Sequence, residues 1–128
     1  MRLKHFSLSF GEQVLKALAD DSRLRILHLI LRNKEMCTSD LEHILDFTQT
    51  KTSRHLAYLR NAGLVTSRKL DQWVYYSLKD EASDFVQQIF TYLERDVLLQ
   101  KDQETYRILY SNRELAVNRM QNRRWTAS

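Results

Sequence analysis

Sixteen residues, Thr48 to Gly63, constrain this chain more than any other stretch. On a helix at about 100° per residue, Thr52, Leu56, Leu59 and Gly63 fall in one narrow sector, while Lys51, Arg54, His55 and Tyr58 gather on another. One face is made to pack and the other to meet something polar. Thr48 is a good N-cap, and Gly63 stands where a helix stops before a β-branched run, so the segment reads as a helix of about three and a half turns. A cationic, hydrogen-bonding front with an apolar back is what the major groove of DNA accepts. A solvated amphipathic helix carries a similar charge pattern, so the flanking segments decide between the two.

Upstream, Ser39 and Glu42 read as a capping box, with Leu41, Ile44 and Leu45 as the apolar side of a short helix. A turn at Asp46-Phe47-Thr48 leads into the longer helix, giving a helix-turn-helix pattern. Downstream, Leu64–Leu70 and Trp73–Leu78 are β-rich runs separated only by Asp71-Gln72, and Val74, Tyr76 and Leu78 alternate with Trp73, Tyr75 and Ser77. Two residues between two strands make a hairpin, and Asp tolerates the positive φ such a turn requires. With Arg68 and Lys69 near its tip, the hairpin reads as a wing reaching flanking backbone or minor groove.

Charge is distributed in blocks. Phe47 to Lys79 holds six basic residues (Lys51, Arg54, Arg60, Arg68, Lys69, Lys79) against Asp71, and Glu81 to Glu104 holds six acids against Arg95 and Lys101. Between these two blocks the positive field is local to the middle of the chain, as phosphate binding favours. At 128 residues without proline and with two glycines, the chain favours one mostly helical domain with a modest core. No apolar run reaches the length of a membrane span or a signal segment, which predicts a cytoplasmic protein without membrane partners. One cysteine excludes an intrachain disulfide and leaves a single sulfur per chain for any metal.

The remaining segments read as supporting helices. Phe6, Phe10, Val14, Leu15 and Leu18 space a first helix ending near Asp20, which then caps a second helix with Leu24, Leu27, His28 and Leu31 as its buried stripe. His28 shares that stripe with leucines and reads as a core-edge histidine. Phe85, Ile89, Leu93 and Val97 recur every four residues on a late helix whose apolar surface points to a dimer interface. Tyr106, Leu109, Tyr110, Val117 and Met120 predict a last helix packed on the first and fifth. It precedes a basic end, Arg119, Arg123, Arg124 and Trp125, read either as a solvated tail or as extra DNA contact.

The run Leu18-Ala19-Asp20-Asp21-Ser22-Arg23-Leu24-Arg25-Ile26-Leu27, then Thr48 to Val65 with its Ser53-Arg54-His55-Leu56 centre, and finally Trp73-Val74-Tyr75-Tyr76, resembles the ArsR/SmtB family of bacterial winged-helix repressors. The resemblance covers about residues 8 to 100. It implies a dimeric repressor, often metal-sensing, with Gln49, Thr50, Ser53, Arg54 and His55 on or near the DNA-facing side of the recognition helix.

The departures concern effectors. The family's Cys-x-Cys pair is here Cys37-Thr38-Ser39, and As(III), which favours three sulfurs, meets two in a dimer of this chain. The family's other site uses Asp and His on the helix after the wing, yet Glu81 to Gln100 holds no histidine. A Zn²⁺ site from Cys37 with His43 or His28 remains as an alternative. Cys37 otherwise reads as a small buried hydrophobe or as a thiol switch at a helix start. The wing carries Asp71-Gln72 where a Gly-Arg pair is usual in the family, which weakens its grip on the minor groove.

The expected architecture is mainly α with a small β-hairpin wing, a winged helix-turn-helix of five to six helices. Residues 1–102 form the DNA-binding and dimerisation domain, and residues 103–128 the C-terminal helix and basic tail. The expected activity is sequence-specific repression from an inverted-repeat operator in double-stranded DNA, by a homodimer answering an unknown small effector. Gln49, Thr50, Lys51, Ser53, Arg54, His55, Tyr58, Arg68, Lys69 and Gln72 contact DNA in this reading, with no cofactor and no metal. The chain has no glycine-rich phosphate loop, nucleophile elbow or paired-histidine metal motif, so no enzymatic activity is expected. Two alternatives stand beside this one: a winged-helix interaction module without DNA binding, and a thiol- or metal-responsive derepressor acting through Cys37.

Overall fold

The computed structural model describes residues 5–126, with side chains as far as residue 115. Six helices and three strands follow in the order α1 (Leu8–Leu18), α2 (Asp21–Asn33), β1 (Glu35–Cys37), α3 (Thr38–Leu45), α4 (Gln49–Asn61), β2 (Val65–Leu70), β3 (Trp73–Leu78), α5 (Asp80–Leu93) and α6 (Val97–Thr126). This is the winged helix-turn-helix expected, with one strand more than the hairpin. Among the described residues no helix is long and apolar enough to cross a membrane.

The chain enters α1 and α2 through side-chain caps. Ser7 Oγ accepts from the Phe10 N–H at 3.1 Å, and the Asp20 carboxylate from the Arg23 N–H at 3.1 Å. Helix α2 lies at the centre, against α1, α3, α4, α5, α6, β1 and β3. Neighbours on several sides bury Ile26, Leu27, His28, Leu29 and Ile30 together, whereas Leu24 and Leu31, expected on the buried stripe, are only half-buried. A single-face stripe describes a peripheral helix, and α2 is not one.

Strand β1 was not expected. Lys34 takes φ 71° just before it, and Glu35, Met36 and Cys37 pair antiparallel with Ser77, Tyr76 and Tyr75, giving the sheet order β1-β3-β2. The strand runs straight into α3, so Cys37 is the N-cap and makes no side-chain cap bond. Ser39 therefore lies inside the first turn with its hydroxyl 3.2 Å from Cys37 Sγ, and the capping box with Glu42 does not form.

The turn between α3 and α4 is set by Asp46 at φ 55°, with the Phe47 N–H donating to Glu42 O. Thr48 then caps α4, accepting from the Lys51 N–H at 3.1 Å. At the far end Gly63 has φ +83° and donates to Arg60 O, and a Cβ there would meet the Phe10 ring at 3.0 Å. Glycine is needed at this position for backbone conformation and for space. The hairpin closes through Asp71 at φ 55°, with Leu70 opposite Trp73.

Two corrections concern the C-terminal third. Val97 does not continue the helix of Phe85, Ile89 and Leu93: α5 ends at Leu93, and Asp96 starts α6 by accepting from the Leu98 and Leu99 N–H groups at 2.9 and 3.2 Å. Phe85, Ile89 and Leu93 pack partly against the chain's own core, while Val97 is 79% exposed. Among the described residues helix α6 packs chiefly on α2 and α3, where α1 and α5 were expected. Three polar clasps hold it: Arg25 is bidentate to the buried Asp102 at 2.9 Å for both bonds, Asn33 and Gln103 exchange amide bonds at 2.9 Å, and Arg113 is bidentate to Asp40. The boundary expected after residue 102 lies inside this continuous helix.

Candidate nucleic-acid interface

Helix α4 sorts its residues by burial. Thr52, His55, Leu56 and Leu59 face the core, and the Thr52 hydroxyl donates to Thr48 O at 2.9 Å. Gln49, Thr50, Ser53, Arg54 and Tyr58 are exposed and Lys51 half-exposed. The N-terminal half of the helix thus presents amide, hydroxyl and guanidinium groups together, the donor and acceptor set that reads base edges. Arg54 makes no ion pair or side-chain hydrogen bond among the described residues.

His55 stands apart from this group. It is 7% exposed, and burial pushes its imidazole below the ordinary value, with Arg23, Arg54 and Lys51 adding to the shift and Asp20 opposing it. Its place in the polar sector of a helical projection reflects angle alone. The α1–α2 corner covers that side: Arg23 donates from Nε to Ala17 O at 2.7 Å and from Nη2 to Lys16 O at 3.1 Å, while its guanidinium lies 4.1 Å from the Tyr58 ring centre. Lys51 is likewise propped, its Nζ 4.0 Å from the Phe47 ring centre. Cation–π contacts of this kind orient a side chain at modest energy. Arg23 and Phe47 carry no signal in the sequence for these supporting roles beyond their proximity in chain order.

In the wing, Arg68 is engaged. It is bidentate to Glu35 of β1 at 2.9 and 2.7 Å and lies 4.9 Å from the Tyr75 ring centre, while its hydrogen bonds hold the Glu35 carboxyl below its ordinary value. Without β1 in view, Arg68 reads as a phosphate contact. The structure gives it a partner across the sheet instead. Lys69 and Gln72 are exposed. Arg119, Arg123, Arg124 and Trp125 lie outside the residues whose side chains are described.

Cys37 is buried and lines a cavity of about 170 Å³ between β1, α3 and α6, with Tyr75, Tyr106, Tyr110 and Arg113 around it. Among the described residues no three His, Cys, Asp or Glu side chains gather as metal ligands would. His28 is 3% exposed, beside Phe90, and its Nδ1 is buried without a hydrogen-bond partner among the described residues. Burial lowers its imidazole value, Arg32 adds to the shift and Asp102 opposes it.

Both buried histidines make stability depend on pH. Each folded value lies below the unfolded value of about 6.5, so their stabilisation is complete above that pH and is lost as pH falls through the folded values. Urea titrations at pH 7.5 and 5.5 are expected to show a lower midpoint at the acid pH, with a smaller drop in His28→Leu. An equal drop in that variant removes His28 from the account.

Comparison with known proteins bears on what such a surface does. The family described as bacterial regulatory protein, arsR family, matches residues 20–67, which span α2 to the start of β2. The arsenic resistance transcriptional regulator ArsR1 of Pseudomonas putida is 49% identical over 73 residues, covering 57% of each chain. The solved structure of HlyU from Vibrio cholerae is 34% identical with a TM-score of 0.60, covering 65% of this chain and 90% of that one. The chain belongs to the arsR family. A further solved relative from Mycobacterium bovis, the homodimeric winged helix-turn-helix DNA-binding domain of Mb0332, described as a possible ArsR-family transcriptional regulator, has 25% identity and a TM-score of 0.63 over 68% of this chain and 81% of its own. This arsR-family chain spans little more than half the length of the Pseudomonas putida regulator it matches.

Proposed function

We propose that this arsR-family protein is a sequence-specific DNA-binding transcriptional repressor, acting as a homodimer on an inverted-repeat operator and released by a small effector. One observation carries the reading: Gln49, Thr50, Ser53 and Arg54 are exposed together on the N-terminal half of the second helix of a helix-turn-helix, with Arg54 unengaged among the described residues. Names of relatives agree with it, since an arsenic resistance regulator and a homodimeric DNA-binding domain are among them. A homodimer sets two such helices about 34 Å apart, one turn of DNA. Its apolar surface is better supplied by Leu8, Leu15, Tyr92 and Val97, all strongly exposed, than by Phe85, Ile89 and Leu93, which already pack on the chain's own core. Arsenic as the effector has little support in this chain, because a dimer supplies two thiols where As(III) favours three.

The test is selection of bound sequences from a random pool of duplex DNA, with sedimentation of the free protein at micromolar concentration. An inverted repeat and a dimer are the expected results. Failure to enrich any sequence at moderate salt, or a protein that stays monomeric, sinks the corresponding half of the reading.

A further inference from the structure

The hairpin ends in an apolar tip. Leu70 and Trp73 are cross-strand partners on either side of Asp71-Gln72 and are 50% and 43% exposed. Burial along β2 runs from a buried Val65 to exposed Arg68, Lys69 and Leu70, so the tip stands clear of the core. The two-residue period puts Leu70 and Trp73 on the same face as Arg68 and Tyr75, and Lys69 and Val74 on the other. Arg68, the cation on the apolar face, is tied to Glu35 on β1. What the tip offers is therefore a blade with an indole and an isobutyl group on one face, an ammonium on the other, and the exposed Asp71 carboxylate and Gln72 amide at its apex.

We propose that this tip is an apolar wedge for the DNA minor groove beside each half-site, with Trp73 and Leu70 pressed against a base step and Lys69 holding phosphate across from them. The proposal rests on the DNA-binding reading above and adds to it the apolar residues through which the wing engages the groove and the sequence preference they confer. Two observations assign the patch to DNA. It is continuous in the chain with α4 through β2, and it carries the exposed ammonium of Lys69, with Asp71, the one acid of the segment from Phe47 to Lys79, in the same turn. An exposed Leu–Trp pair contributes nothing to a core it does not reach. Inserted beside a base pair, such groups unstack one step and kink the duplex, a device of minor-groove binders.

Wedge and cation favour opposite sequences. A cationic tip favours the narrow, strongly negative groove of a stiff A-tract, whereas a wedge favours a flexible pyrimidine–purine step that opens at low cost. The probe is the duplex recovered by selection, with the step under the wing set either to TA or to an A-tract, and binding followed by fluorescence anisotropy. The protein is expected to bind the TA duplex several-fold more tightly. Trp73→Ala loses about tenfold on that duplex, the scale of one base–aromatic contact, and no longer distinguishes the two flanks. Trp73→Phe keeps the preference. The salt slope of Trp73→Ala matches that of the parent, while Lys69→Ala lowers the slope by about one and keeps the preference.

A preference for the A-tract, or Trp73→Ala binding both duplexes as the parent does, overturns the proposal. A Leu70→Ala/Trp73→Ala double variant that alters the sedimentation of free protein with no change in DNA affinity also overturns it, in favour of contact between copies of this chain. If the parent protein binds no duplex at all, the DNA-binding reading itself fails, an outcome distinct from tight binding that ignores the flank. Thermal melting of each variant checks that the fold, whose core the tip does not enter, is intact.

Discussion

Arg54→Ala is expected to weaken binding to the selected operator by about 1 to 3 kcal/mol, the worth of a bidentate contact to a guanine edge, while leaving affinity for a scrambled duplex nearly unchanged. The reasoning starts from α4. Thr48 caps it, Leu56 and Leu59 anchor its back, and Arg54 emerges on the exposed side with no ion pair among the described residues. A guanidinium left unengaged by the described residues keeps its planar fork for a ligand. The measurement is anisotropy titration of both duplexes at one salt concentration. Equal losses on the two would make Arg54 a phosphate contact and move sequence reading to Gln49, Thr50 and Ser53.

Asp102→Ala is expected to destabilise the fold by about 3 kcal/mol or more, in the range found when one partner of a buried ion pair is removed. The Asp102 side chain is 5% exposed and the Arg25 side chain 21%, and the two share both available hydrogen bonds. Arg25's ionisation is held above its ordinary value first by the hydrogen bond to Asp102, against the cost of burial. Removing the carboxylate leaves that guanidinium largely out of water and detaches the start of α6 from α2. A companion Arg25→Met/Asp102→Leu pair should recover much of the loss, because it removes the charges together. Denaturant titration decides. A change below about 1 kcal/mol for Asp102→Ala would mean that α6 is held by its apolar contacts, Tyr106 and Leu109 among them, rather than by this clasp.

Local chemistry alone was enough for the helix-turn-helix and the hairpin. Thr48, Asp20 and the left-handed backbone of Gly63 act within their own neighbourhoods, and the alternation from Trp73 to Leu78 is a period that no distant contact has to supply. Strand β1 escaped notice because three residues hold too little pattern, and their strand character comes from pairing with β3, some forty residues later. The same distance hid the fate of Arg68: its charge was evident, but whether that charge was spare depended on Glu35.

What the sequence determined by itself is the order and kind of the elements other than β1, and the residues that α4 and the wing carry, since capping, periodicity and turn chemistry act over a few residues. Tertiary structure alone decided which of those residues remain available. Packing at the α1–α2 corner removed His55 from the exposed set, and pairing across the sheet engaged Arg68. The ion pair of Asp102 with Arg25 ties α6 to α2, and that of Arg113 with Asp40 ties it to α3. Each of these outcomes joins groups dozens of residues apart, and burial or charge pairing at that range has no signature in the local order of amino acids.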